Sequence, residues 1–167
     1  MKPRRPVVVA LVLVFALAAS AVRAADWGTL VPGISTMETV RARFGTASKT
    51  SVQKQQGYEV AQWVYEGAAA PAGITRLTVD FGLVMAVGLR NDVVRDFTLA
   101  PKPGVFNRRT VVNGWGTPAR VGREGDFEVF FYPEGLLVYF GKDGWDAELL
   151  VFTPPQPLGD DPERPKP

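Results

Sequence analysis

Any chemistry in this chain has to be done without histidine or cysteine, since its 167 residues contain neither. That removes Ser-His-Asp and Cys-His nucleophile systems, thiolate chemistry and the usual zinc sites. A general base would have to be a carboxylate, a lysine or a tyrosine. Asp80, beside Phe81-Gly82 in a strand-like run, is one such residue; in an apolar site it would serve as a base, whereas a solvent-facing strand position explains it without chemistry. Asp143, Asp146 and Glu148 lie close together in sequence. They lack the alternating oxygen ligands, central glycine and closing glutamate of a calcium loop, so a solvated turn is the expected reading. Gly122–Gly125 has no phosphate-loop spacing. The residues therefore point to no catalytic site, no metal and no cofactor.

What the composition offers instead is aromatic surface. In Leu136-Leu137-Val138-Tyr139-Phe140, strict alternation sends Leu136, Val138 and Phe140 to one face of a strand and Leu137 and Tyr139 to the other. Phe130 and Tyr132 share a face opposite Phe131, and Leu150 and Phe152 lie opposite Leu149 and Val151. A sheet with helices on one side needs only one apolar face, so something should cover the second. Tyrosine and tryptophan carry much of the energy at protein interfaces. Tyr132, Tyr139 and Trp145 are the expected partner-binding residues, with Arg120 and Arg123 at the rim. A sister unit packed across the same face would bury them instead.

The elements that must position these residues follow from an internal repeat. Val31–Thr50 and Lys102–Val121 align without a gap, 71 residues apart, sharing a Pro-Gly opening (Pro32-Gly33, Pro103-Gly104), a Thr-Val pair (Thr39-Val40, Thr110-Val111) and a Gly-Thr close (Gly45-Thr46, Gly116-Thr117). A second match sets LTVDFG (Leu77–Gly82) against LLVYFG (Leu136–Gly141), which puts Asp80 and Tyr139 in corresponding places. Repeats decide architecture before local propensity does. In the first copy Ser35 and Glu38 read as a capping box, Met37, Val40 and Phe44 form one helical face, and Gly45 stops the helix. The second copy lacks that box, keeps Asn107 as a cap and should give a shorter or more frayed helix. Strands are expected at 48–53, 59–65, 74–81 and 84–89, then at 119–123, 127–132, 136–140 and 146–152. Short connections favour antiparallel hairpins. The expected fold is α+β, with two tandem helix-plus-antiparallel-sheet modules, 25–100 and 101–153, and helices on one face of the sheets.

The run Pro32-Gly33-Ile34-Ser35-Thr36, followed by Val40, Phe44-Gly45-Thr46, Trp63-x-Tyr65 and Leu77-x-Val79-x-Phe81, resembles the SmpA/OmlA (BamE-like) family of bacterial envelope proteins. The tandem arrangement is similar to that of β-lactamase inhibitor proteins. The resemblance covers Leu30–Leu89 and, more loosely, the second copy. It implies small helix-plus-sheet modules that bind other proteins, in one branch as an accessory of outer-membrane barrel assembly. Members of that machinery carry one module and a lipid anchor on a cysteine, which this chain lacks.

The ends add a location. Lys2, Arg4 and Arg5 precede the apolar run Val7–Ala19, and Val22-Arg23-Ala24 supplies small residues for cleavage. The run is short for a membrane span, which needs about 20 residues. A signal peptide over 1–24 is expected, with the product in the periplasm or secreted. Its removal takes four of the 19 basic residues and none of the 17 acidic ones, leaving a net charge of −2 and no basic footprint for nucleic acid. Residues 154–167 are proline-rich and should form a disordered tail. The sequence thus predicts an exported envelope protein that docks another envelope or secreted protein, with its oligomeric state open. The rival is a small-ligand-binding or hydrolytic domain with a pocket between the modules, anchored by Asp80 or Glu59.

Overall fold

The computed structural model describes residues 25–55, 57–86 and 88–156. The expected signal peptide and all but the first residues of the expected tail lie outside them. In chain order the elements are α1 (Met37–Phe44), β1 (Lys49–Gln55), β2 (Tyr58–Glu66), β3 (Ile74–Met85), β4 (Gly88–Pro101), α2 (Arg108–Trp115), β5 (Arg120–Glu124), β6 (Phe127–Tyr132), β7 (Leu136–Phe140) and β8 (Ala147–Phe152).

The eight strands form one antiparallel sheet in the order β1-β2-β3-β4-β8-β7-β6-β5. This corrects the expectation of two tandem modules with a sheet each. The seam is the ladder between β4 and β8, where Phe97 faces Phe152 and Leu99 faces Leu150. Each four-strand meander would otherwise end on an unpaired apolar edge, and pairing the two edges removes both. The Phe97 and Phe152 rings stack across the seam at 4.4 Å between centroids. Leu77, Val79, Phe81, Leu99, Leu136, Val138, Phe140 and Leu150 are fully buried beside them, so a single core runs under both helices.

Both helices lie on that core face, each burying one valine, Val40 or Val111. The capping box expected at Ser35 is not formed. The Ser35 carbonyl accepts from the Val94 amide, which holds residue 35 extended against β4, and its buried hydroxyl accepts from the Val31 amide. The helix starts one residue later, with the Thr36 hydroxyl accepting from the Thr39 amide. α2 is capped by Asn107, as its sequence suggested, in a reciprocal box with Thr110. It is as long as α1, eight residues each, so the expectation of a shorter second helix is also corrected. Gly45 and Gly116 end the two helices at φ 75° and 84°, where a side chain would be strained. The Tyr65 hydroxyl donates to the Gly45 carbonyl at 3.3 Å, and the Tyr132 hydroxyl to the Gly116 carbonyl at 3.0 Å. The repeat thus survives as a tether from the second strand of each half to its own helix end.

Candidate functional site

Among the described residues both α-helices lie on one face of the sheet and none lies on the other, which is the candidate surface. Register fixes what that face carries. One row crosses the sheet from Phe131 through Leu137 and Val151 to Thr98, Thr78 and Val64, with Arg120 on β5 and Lys49 on β1 at its ends. A parallel row brings Val129, Tyr139 and Leu149 together. Phe131, Leu137, Tyr139, Leu149 and Val151 are half-buried, while their sequence neighbours on the helix face are closed off. The apolar part of the uncovered face therefore lies on the second half of the sheet. Tyr139 packs edge-on against Phe127, and burial, with the Glu124 carboxylate nearby, pushes its hydroxyl above the usual tyrosine range.

On the first half the same face carries a charged cluster at its middle. Gln62, Asp80 and Asp96 form a row across β2, β3 and β4. Asp80 faces Asp96, yet the next pair in the ladder is Phe81 with Val94, so β4 carries one extra residue, Arg95. This β-bulge is why Val94 and Phe97 both reach the core while Arg95 and Asp96 stand together on the uncovered face. The Arg95 Nε donates to Asp96 Oδ2 at 2.7 Å, and its guanidinium lies 3.8 Å from Asp80 Oδ1. Gln62 Nε2 donates to Asp80 Oδ1 at 2.9 Å. Burial pushes the Asp80 carboxyl up from the ordinary value; the Gln62 hydrogen bond opposes this, the Asp96 charge adds to it, and the Arg95 charge opposes it. A cavity of about 510 Å³ opens beside Arg95 and Asp96, walled by Tyr58, Val60, Gly82 and Leu83. It sits within the first half, not between the halves.

The five residues expected at the partner surface do not converge. Tyr139 and Arg120 lie on the uncovered face. Tyr132 faces the core and is only 3% exposed, its hydroxyl pushed up to about 12 by burial and then by the Glu134 charge. Arg123 stands across from Glu128, on the helix side of β5. Trp145 is half-exposed in the turn before β8, where its carbonyl accepts from the Arg108 amide at the start of α2. Glu59 is exposed across from Lys54. The Asp143 carboxylate accepts from the Trp145 amide and that of Asp146 from the Gly104 amide, and Glu148 is exposed. Among the described residues no three metal-ligating side chains gather. Phe131, Leu137 and Val151 were placed on the second face by alternation, but the acid pair and its arginine depend on a bulge that no spacing announces.

No protein-family model matches the chain, and no curated protein matches it. One solved structure is similar at the level of the backbone, a DUF4309 family protein (YjgB) from Bacillus subtilis subsp. subtilis str. 168. It has 13% sequence identity and a TM-score of 0.47, over 76% of this chain and 83% of that one.

Proposed function

We propose that this chain is an exported protein-binding domain of the bacterial cell envelope, which docks another envelope or secreted protein on the sheet face its helices leave uncovered. The observation that carries the reading is the cluster of Phe131, Leu137, Tyr139, Leu149 and Val151, half-exposed on a face where a one-sided sheet would place polar residues. Broad aromatic and aliphatic surface beside charged groups is the chemistry of a protein interface. The partner is expected to bring an apolar patch to the second half and cationic or hydrogen-bonding groups to the acid pair of the first. The resemblance to SmpA/OmlA modules supports the same reading, as does the leader-like start of the sequence. Docking breaks no bond and uses no cofactor. The rival pocket between the halves receives less support, because the cavity beside Asp96 lies inside the first half and is open.

The test uses a photoreactive residue placed at Leu137 or Thr98 on the uncovered face, or at exposed Asn113 on α2 as the control. Irradiation in the native envelope is expected to give one adduct from the first two positions, weakened by Tyr139→Ala and Phe131→Ala in a protein that still folds. Equal adducts from Asn113, or adducts insensitive to both substitutions, would remove the proposed surface.

A further inference from the structure

Among the described residues β5 closes one end of the sheet and pairs with β6 alone. Soluble proteins guard such edges with lysine, proline, twist or a covering element. The opposite edge follows the rule: β1 carries Lys49 and Lys54. β5 is also short and charged, but its charges are of both signs: it reads Arg120-Val121-Gly122-Arg123-Glu124, without lysine or proline, and all five residues are exposed.

This short strand is complementary to itself. If two copies of β5 run antiparallel with Gly122 on the two-fold axis, Arg120 of each stands opposite Glu124 of the other, and Val121 opposite Arg123. The faces agree as well. Arg120 and Glu124 share the uncovered face, being cross-strand neighbours of Phe131 and Phe127, while Val121 and Arg123 share the helix face. Opposite charges directly across an antiparallel ladder attract, and like charges there repel. The neighbouring symmetric registers are poorer. One centres on Val121 and leaves the charges unmatched; the other centres on Arg123 and sets it against its own copy. Gly122 offers no side chain at the axis, and a Cβ there would meet nothing within 4 Å. On β1 the same operation about Val52 sets Lys54 against Thr50 and Lys49 against Gln55, with no charge matched.

We propose that two copies of this chain associate edge to edge through β5, with Gly122 at the axis and an Arg120–Glu124 pair on each side. Their sheets become continuous, and the uncovered faces of the two copies form one surface. The contact uses the edge of the sheet and not its face, so it stands independently of the docking reading. Five residues a side is a small interface, which sets the expected dissociation constant on the order of 100 µM.

Sedimentation equilibrium on the protein purified after export, at low salt and from roughly micromolar to millimolar concentration, reads this constant. Arg120→Glu and Glu124→Arg are each expected to weaken the dimer about tenfold or more, and the double exchange to restore it to within about threefold. Because the chain has no cysteine, a second measurement is available. Gly122→Cys should oxidise to a disulfide-linked dimer, since residues opposed across an antiparallel pair lie within disulfide reach, about 4.5–5.5 Å between Cα atoms. Val52→Cys on the other edge should not. A monomer at millimolar concentration, singles without effect, a double exchange that fails to rescue, or equal oxidation of the two cysteine variants would each overturn the proposal.

Discussion

Replacing Asp80 with asparagine is predicted to stabilise this protein at neutral pH, which is unusual for a strand residue whose side chain is only 20% exposed. Asp80 and Asp96 are directly opposed across β3 and β4 and share one guanidinium, Arg95, which binds Asp96 more closely. Like charges so placed cost up to about 1 kcal/mol, and the 3.8 Å contact to Arg95 offsets part of that. Asparagine keeps an oxygen for the Gln62 amide and discards the charge, so the net gain is expected at about 0.5–1 kcal/mol. The pH dependence has a definite sign. The Asp80 carboxyl titrates above its ordinary value of 3.8 in the folded protein. The stability it contributes is therefore fully present below the unfolded value and is lost as pH rises through the folded one. The variant lacks this loss. Urea melts of both proteins should differ at pH 7, with the variant more stable, and converge as pH falls toward 3.8. A variant less stable at pH 7, or one offset by the same amount at both ends, would show that the acid pair is not under electrostatic strain.

Tyr132→Phe is expected to lower stability by about 1 kcal/mol by leaving the Gly116 carbonyl unpaired, and Tyr65→Phe by less, since its bond to Gly45 is longer; denaturant midpoints order the two. Tyr132→Ala should cost about 3–5 kcal/mol because the ring is core. Tyr139→Ala, on the uncovered face, is predicted to change the melting midpoint little while weakening photocrosslinking to a partner. Gly135→Ala is expected to cost about 2 kcal/mol or more, since φ is 97° and a Cβ there would run into the Thr153 carbonyl, whose own amide donates to Gly135. A melt within a few tenths of the parent would contradict that geometry.

Much of each half was legible because its signals are local. Gly45 and Gly116 stop helices by backbone conformation, and alternation in Leu136–Phe140 gives the two faces correctly. β4 was not legible. The expected strand at 84–89 overlaps the end of β3 and the start of β4, whose range is Gly88–Pro101. Arg90, Asp92, Arg95 and Asp96 interrupt its alternation, and the bulge at Arg95 shifts the apolar parity between Val94 and Phe97. Missing that strand also hid the seam, because the pairing of Phe97 with Phe152 joins residues far apart in sequence. The opposite faces of Tyr132 and Tyr139 follow from the hairpin register, Tyr132 with Leu136, which is fixed by the 133–135 turn and not by composition. The residue type of Ser35 suits a cap, but pairing of its carbonyl with the Val94 amide holds it extended instead.

The repeat gives the uncovered face its asymmetry. Asp80 and Tyr139 occupy corresponding places in LTVDFG and LLVYFG, and both point away from the helices. In the second half that place joins Leu137, Leu149 and Val129 in an apolar surface; in the first it joins Asp96, Gln62 and Arg95. A threonine or valine at position 80 would serve the strand and avoid the opposed charge, so folding alone gives no reason for two carboxylates there. Residues kept at a cost in stability belong, as a rule, to working surfaces. On the proposed reading the two versions divide the work of one interface. The apolar half sets how long a complex lasts, while the charged half sets which partner is accepted and how fast it arrives, because close charges act mainly on encounter and discrimination. A duplicated scaffold makes such a division available without a new fold, since one position in the repeat can change its chemistry while its twin keeps the original.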